Sequence, residues 1–107
     1  MTDISIRKTD WATDREPLSA IRRQVFIEEQ HVPEDMEWDE HDARCVHFLA
    51  CDGDNDVVGC VRLLPTGQIS RLCVRESRRT EGIGRRLLDA ARALPTRWPS
   101  TPHVPRA

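Results

Sequence analysis

The chain has 107 residues, a net charge of -2, and 38% hydrophobic against 32% charged residues. That length allows one domain and argues against two, and the spaced Ile, Leu and Val exclude a disordered chain. No run approaches the ~20 apolar residues of a membrane span, and Met1-Thr-Asp-Ile-Ser5 lacks the basic and apolar regions of a secretory signal, so a cytoplasmic protein without a membrane partner is expected.

Ile4-Ser-Ile-Arg-Lys8 alternates apolar and polar residues and predicts a half-buried strand. Thr13-Asp-Arg-Glu-Pro-Leu18 then supplies a capping residue and a proline tolerable in a first helical turn. Leu18, Ile21, Val25 and Phe26 follow at helical spacing, so a helix is expected to run to about Gln30. Val32-Pro33 stops it, and the acidic stretch Glu34 to Asp42 reads as a loop with at most one helical turn. Cys45 to Cys51 and Val57 to Leu64 predict an antiparallel hairpin around the turn Asp52 to Asp56. Pro65-Thr-Gly67 predicts a second turn. Gln68 to Val74 alternates again, with Ile69, Leu72 or Val74 on buried faces according to local bulging. Gly82 to Leu94 predicts a second helix with Ile83, Leu87, Ala91 and Leu94 on one stripe and Arg85, Arg86 and Arg92 largely outside it. From Pro95 to the end, Pro95, Pro99, Pro102 and Pro105 interrupt all periodicity, and residues 95–107 are expected to be an extended or disordered tail.

Charge is unevenly distributed. Glu28 to Asp42 holds eight acids and no Lys or Arg, whereas Arg71 to Arg92 holds seven Arg against Glu76, Glu81 and Asp89. Two solvated faces would explain this, and so would two electrostatic tasks. The negative net charge and the lack of interleaved aromatics argue against nucleic-acid binding. Cys45, Cys51, Cys60 and Cys73 show no C-x-x-C spacing, and His31, His41 and His47 form no ligand motif with Cys45. Reduced, buried thiols and no metal are expected.

The segment with chemical content is a strand to Val74, a basic loop, and Gly82 and Gly84 opening a helix. A helix start carries N–H groups without intrahelical partners and the positive end of its dipole, and glycines let a phosphate approach them. Arg78, Arg79, Arg85 and Arg86 add positive charge around that point.

Arg79-x-x-Gly82-x-Gly84 after such a strand resembles the acyl-CoA signature of the GNAT superfamily of N-acetyltransferases. Ile21-Arg-Arg-Gln-Val-Phe-Ile-Glu-Glu-Gln30, Val32-Pro33, Glu37-Trp-Asp-Glu-His-Asp42 and Gly59-Cys-Val-Arg-Leu-Leu-Pro65 resemble its ElaA-like branch, from about residue 4 to 94. The resemblance implies an α+β sandwich of order β-α-β-β-β-α in a domain spanning residues 1–94, using acetyl-CoA and an amine acceptor. It further implies that the backbone of Leu72, Cys73 and Val74 pairs with the pantetheine arm, and that Arg79, Thr80, Glu81, Gly82, Ile83, Gly84 and Arg85 form the pyrophosphate site.

Direct transfer to an amine needs a base, because an ammonium must lose a proton before it attacks a thioester. Glu29, Asp39 and Glu40 are the candidates, and a buried strand residue such as Cys73 is better read as packing than as a nucleophile. The chain departs from the family pattern at Thr80 and Glu81, which stand where small or amide residues are usual, and it contains no Tyr to serve as the family's common acid. Complete members continue after the signature helix with a strand, a helix and two more strands. The chain is therefore expected to lack the C-terminal strands through a frameshifted or prematurely ended reading frame, leaving the strand ending at Val74 with an open edge. The alternative function is a non-catalytic remnant that binds CoA-like phosphates or self-associates through that edge as a homo-oligomer.

Overall fold

A computed structural model describes residues 4–53 and 56–94, in which four antiparallel strands form one sheet in the order β1-β2-β3-β4. The strands are β1 (Ser5–Thr9), β2 (Val46–Cys51), β3 (Val57–Leu63) and β4 (Ile69–Val74). The helices are α1 (Trp11–Arg22), the single-turn α2 (Glu34–Glu37) and α3 (Ile83–Ala93). This is the expected β-α-β-β-β-α order with one extra turn in the acidic stretch. The predicted tail lies outside the described residues.

Helices cover both faces of the sheet, which explains why β2 and β3 read as nearly unbroken apolar runs. On one face Leu18, Ile21 and Val25 meet Leu49, Cys51, Cys60 and Cys73. On the other, Ile83, Leu87 and Ala91 of α3 pack on Phe48, Ala50, Val58 and Val61. Among the described residues, no helix is long and apolar enough to cross a membrane.

The first helix begins at Trp11 rather than Thr13, because the Asp10 side chain accepts from the Thr13 N–H at 2.8 Å. Its backbone leaves helical angles at Asp14, so Pro17 falls in the first turn of the regular helix, where a missing N–H costs little. Beyond Arg22 the coil widens into a π-helical segment, Arg23–Glu29, closed by Gln30 N–H to Val25 C=O at 3.1 Å. His31 follows at φ 62°, a left-handed turn that ends the helix before Pro33 does.

β4 carries a bulge. Cys60 pairs with Cys73 and Arg62 with Ser70, so Arg71 and Leu72 together oppose Val61, and Arg71 takes φ 56°. The extra residue lets Ile69 and Val74, five apart, both pack toward α3, while Leu72 is left exposed. Gly59 crosses this region where a Cβ would stand 2.7 Å from the Cys73 carbonyl oxygen and 3.1 Å from Leu87. Gly59→Ala is therefore expected to destabilise the fold by about 1–3 kcal/mol, measured by urea titration.

Candidate functional site

The acidic stretch turns inward and holds a buried charge network. Arg22 is fully buried, with Nε donating to Glu37 at 2.7 Å and Nη1 to Asp42 at 2.8 Å. Arg62 donates to Asp39 at 2.8 Å and to Asp42 at 3.0 Å. Arg71, displaced by the bulge, reaches the Glu37 carboxylate at 3.1 Å and its carbonyl at 2.8 Å. The Arg22 guanidinium also lies 5.5 Å from the ring centre of Trp11 and 5.0 Å from that of Trp38. Arginines from α1, β3 and β4 thus bind one loop.

Of the candidate bases, Asp39 belongs to this network. Burial pushes its carboxyl up, but hydrogen bonds from Arg62 and the His41 backbone outweigh that and hold it below its ordinary value. Glu40 is exposed and makes no ion pair among the described residues. Glu29 ends the π-helical segment in a two-pronged ion pair with Arg79, at 2.6 and 2.7 Å, and those bonds hold its carboxyl low.

His47 lies within 3.0 Å of the Asp42 carbonyl and 5.6 Å from the Trp11 ring centre. Burial pulls its pKa below its ordinary value of 6.5. Between that value and the lower folded one, the unfolded chain binds the proton and the native chain does not, so stability falls on acidification. Melting scans from pH 7 to 5 should show this decline, and His47→Asn should flatten it while lowering stability at pH 7.

The basic loop joins a tight turn to a helix start. A 3-10 turn (Glu76–Arg78) leads to Thr80 at φ 73° and Gly82 at φ 80°. Gly82 caps α3 without any side-chain bond, and the first in-helix donor is the Arg86 N–H to the Gly82 carbonyl at 3.1 Å. The amides of Ile83, Gly84 and Arg85 consequently lack intrahelical acceptors at the positive end of the helix. Glu81, which stands near this point, is paired with Arg78 at 3.1 Å. Arg85 points outward in a loose pair with Asp89 at 3.7 Å.

The strand feeding the loop offers polar backbone. The Arg75 N–H donates to the Val58 carbonyl at 2.7 Å, which makes Gly59 and Val74 a non-hydrogen-bonded pair. The N–H and C=O of Val74 accordingly face away from β3, toward an edge with no strand partner among the described residues. Leu72 is 38% exposed at that edge. Cys73 instead points into the α1-side core, its sulfur 3.7 Å from that of Cys60. Hydrogen bonding to Cys73 and burial push the Cys60 thiol well above its ordinary value. No group of three or more His, Cys, Asp or Glu among the described residues could hold a metal ion.

Sequence reasoning did not find Arg22, Arg62 and Arg71 as a set. The signal available was Arg62, a charge between Val61 and Leu63 in a strand buried on both faces.

The acetyltransferase (GNAT) domain family matches residues 21–93. A Bacillus subtilis (strain 168) protein provisionally named an acetyltransferase is 34% identical over 93 residues, covering 81% of this chain and 63% of that protein. The chain thus spans less than two thirds of that relative's length. A crystal structure of a Lactobacillus plantarum protein, provisionally named an N-acetyltransferase, superposes with a TM-score of 0.72 at 29% identity, covering 82% of this chain and 64% of that one. The aminoglycoside N-acetyltransferase AAC(6')-Iy, solved in complex with CoA, shares the fold with a TM-score of 0.60 at 17% identity, covering 85% of this chain and 68% of that one.

Proposed function

Because the chain belongs to the GNAT acetyltransferase family, we propose that it serves transfer of an acetyl group from acetyl-CoA to a primary amine by direct attack within a ternary complex, in the cytoplasm. The observation that carries this reading is the uncapped start of α3 beside the outward-facing backbone of Val74. The amides of Ile83, Gly84 and Arg85 suit a pyrophosphate, with Arg79 and the Thr80–Gly82 turn beside them. The outward N–H and C=O of Val74, next to exposed Leu72, suit the amide-bearing pantetheine arm as an added strand would. Such pairing would aim the thioester along the β4 edge, past the bulge at Arg71 and Leu72.

The residues also constrain where a proton can go. Cys73 is turned into the core, so a covalent acyl-enzyme has no exposed thiol on β4 to form on, which favours direct attack. Asp39 is committed to Arg62 and Arg71 and Glu29 to Arg79, leaving Glu40 as the one of the three candidate acceptors for the ammonium proton without an ion pair among the described residues.

Isothermal titration with CoA, followed by a free-thiol release assay with acetyl-CoA over a panel of primary amines, tests the reading. CoA binding together with amine-dependent thiol release is the expected result. Binding without turnover would favour the non-catalytic alternative, and no binding would overturn both the transfer reading and a CoA-binding remnant.

A further inference from the structure

Arg79 and Glu29 are fifty residues apart, yet the structure brings them into one two-pronged contact, with Nη1 and Nη2 on the two carboxylate oxygens at 2.6 and 2.7 Å. The remaining donor of the same guanidinium, Nε, reaches the Val74 carbonyl at 3.0 Å. That carbonyl is the one facing the unpartnered β4 edge. Arg79 therefore stands on the backbone acceptor suited to a bound cofactor arm, and its charge is offset by a carboxylate in the geometry a phosphate would use.

The surroundings fit a contact that can open. Both side chains are partly exposed, Arg79 at 37% and Glu29 at 28%, unlike the sealed Arg22 network. Glu29 sits on a π-helical segment, a rare form of helix that recurs at functional sites. A cavity of about 360 Å³ lies alongside, lined by Gln24, Glu28, Glu29, Arg75, Glu76 and Ser77. Within its wall, the buried Nε of Arg75 has no hydrogen-bond partner among the described residues.

We infer that Glu29 is an internal occupant of the phosphate site: it latches Arg79 over the β4 edge in the free protein, and an arriving acyl-CoA phosphate displaces it. This rests on the acyl-CoA reading above. The exchange swaps one charge-assisted pair for another, uncovers the Val74 carbonyl, and frees the Glu29 carboxylate.

A competing internal anion lowers apparent affinity by the fraction of sites it blocks. CoA is titrated calorimetrically into the wild-type chain, Glu29→Gln, Arg79→Gln and the double variant, with melting temperatures recorded to establish that each is folded. Glu29→Gln should bind CoA about three- to fivefold more tightly than wild type, the upper part of the range expected from releasing a partly exposed ion pair. In the Arg79→Gln background the same substitution should change affinity less than twofold. Wild-type binding with equal or weaker binding by folded Glu29→Gln would overturn the latch alone and make the pair a permanent brace. An equal gain with and without Arg79 would overturn it too, by showing general charge removal. Absence of CoA binding by both wild type and Glu29→Gln would overturn the acyl-CoA reading and the latch with it.

Discussion

Arg22→Ala is expected to lower folding stability by about 3–5 kcal/mol, a large part of the ~5–15 kcal/mol typical of a domain. The substitution leaves Glu37 and Asp42 buried without the donors at 2.7 and 2.8 Å that satisfy them, and it empties the slot between Trp11 and Trp38. Burial alone opposes a charge on Arg22, but the hydrogen bonds it donates to Asp42 and Glu37 outweigh it, so the guanidinium stays protonated. Arg22→Lys keeps the charge and loses the fork that reaches both acids and the Glu37 carbonyl, so its loss should be intermediate. Denaturant titration of the two variants measures both values. A loss under 1 kcal/mol in Arg22→Ala would mean that the acidic loop does not depend on this residue.

The second large effect falls on binding and spares the fold. Gly84→Glu should weaken CoA binding on the order of 100-fold, because a carboxylate about 6 Å from a phosphate costs roughly 3 kcal/mol at an effective dielectric near 20. The backbone tolerates the change. A Cβ at Gly84 meets only Val74 Cγ2, at 3.6 Å, and an acid in a first helical turn suits the dipole. Stability should stay level or rise while affinity falls. Calorimetric titration and a melting curve on the same sample separate the two, and unchanged affinity would move the phosphate away from the start of α3.

Much of this was legible in residue spacing. Ile83, Leu87 and Ala91 identified α3 and its buried face, and the alternation in residues 4–8 and 68–74 identified edge strands to within one residue. The loop Arg79 to Gly84 was recognisable because its chemistry is local: a strand end, two glycines and a helix start adjoin in sequence.

Long-range pairing was not legible. Glu29 and Arg79 each stood out, one as an acid at a helix end and the other as a base in a loop, but nothing local specifies that they meet across fifty residues. The acidic stretch read as a loop, whereas Glu37 and Asp42 are buried because one arginine, Arg22, reaches both across 15 and 20 residues of chain. The bulge in β4 was allowed for without being located. Its position depends on the pairing of Cys60 with Cys73, which the strand's own alternation does not encode.

The arginine network has a consequence for how the molecule opens. Residues 34–44 form a surface connection of one helical turn and one 3-10 turn, the kind of segment that ordinarily exchanges its amide hydrogens through small local fluctuations. Here, freeing the segment means separating Glu37, Asp39 and Asp42 from guanidiniums anchored in α1, β3 and β4 together. The connection therefore belongs to the same cooperative unit as the sheet. It stays closed until the sheet itself comes apart, leaving the Glu29–Arg79 contact as a part of the candidate site that can move on its own.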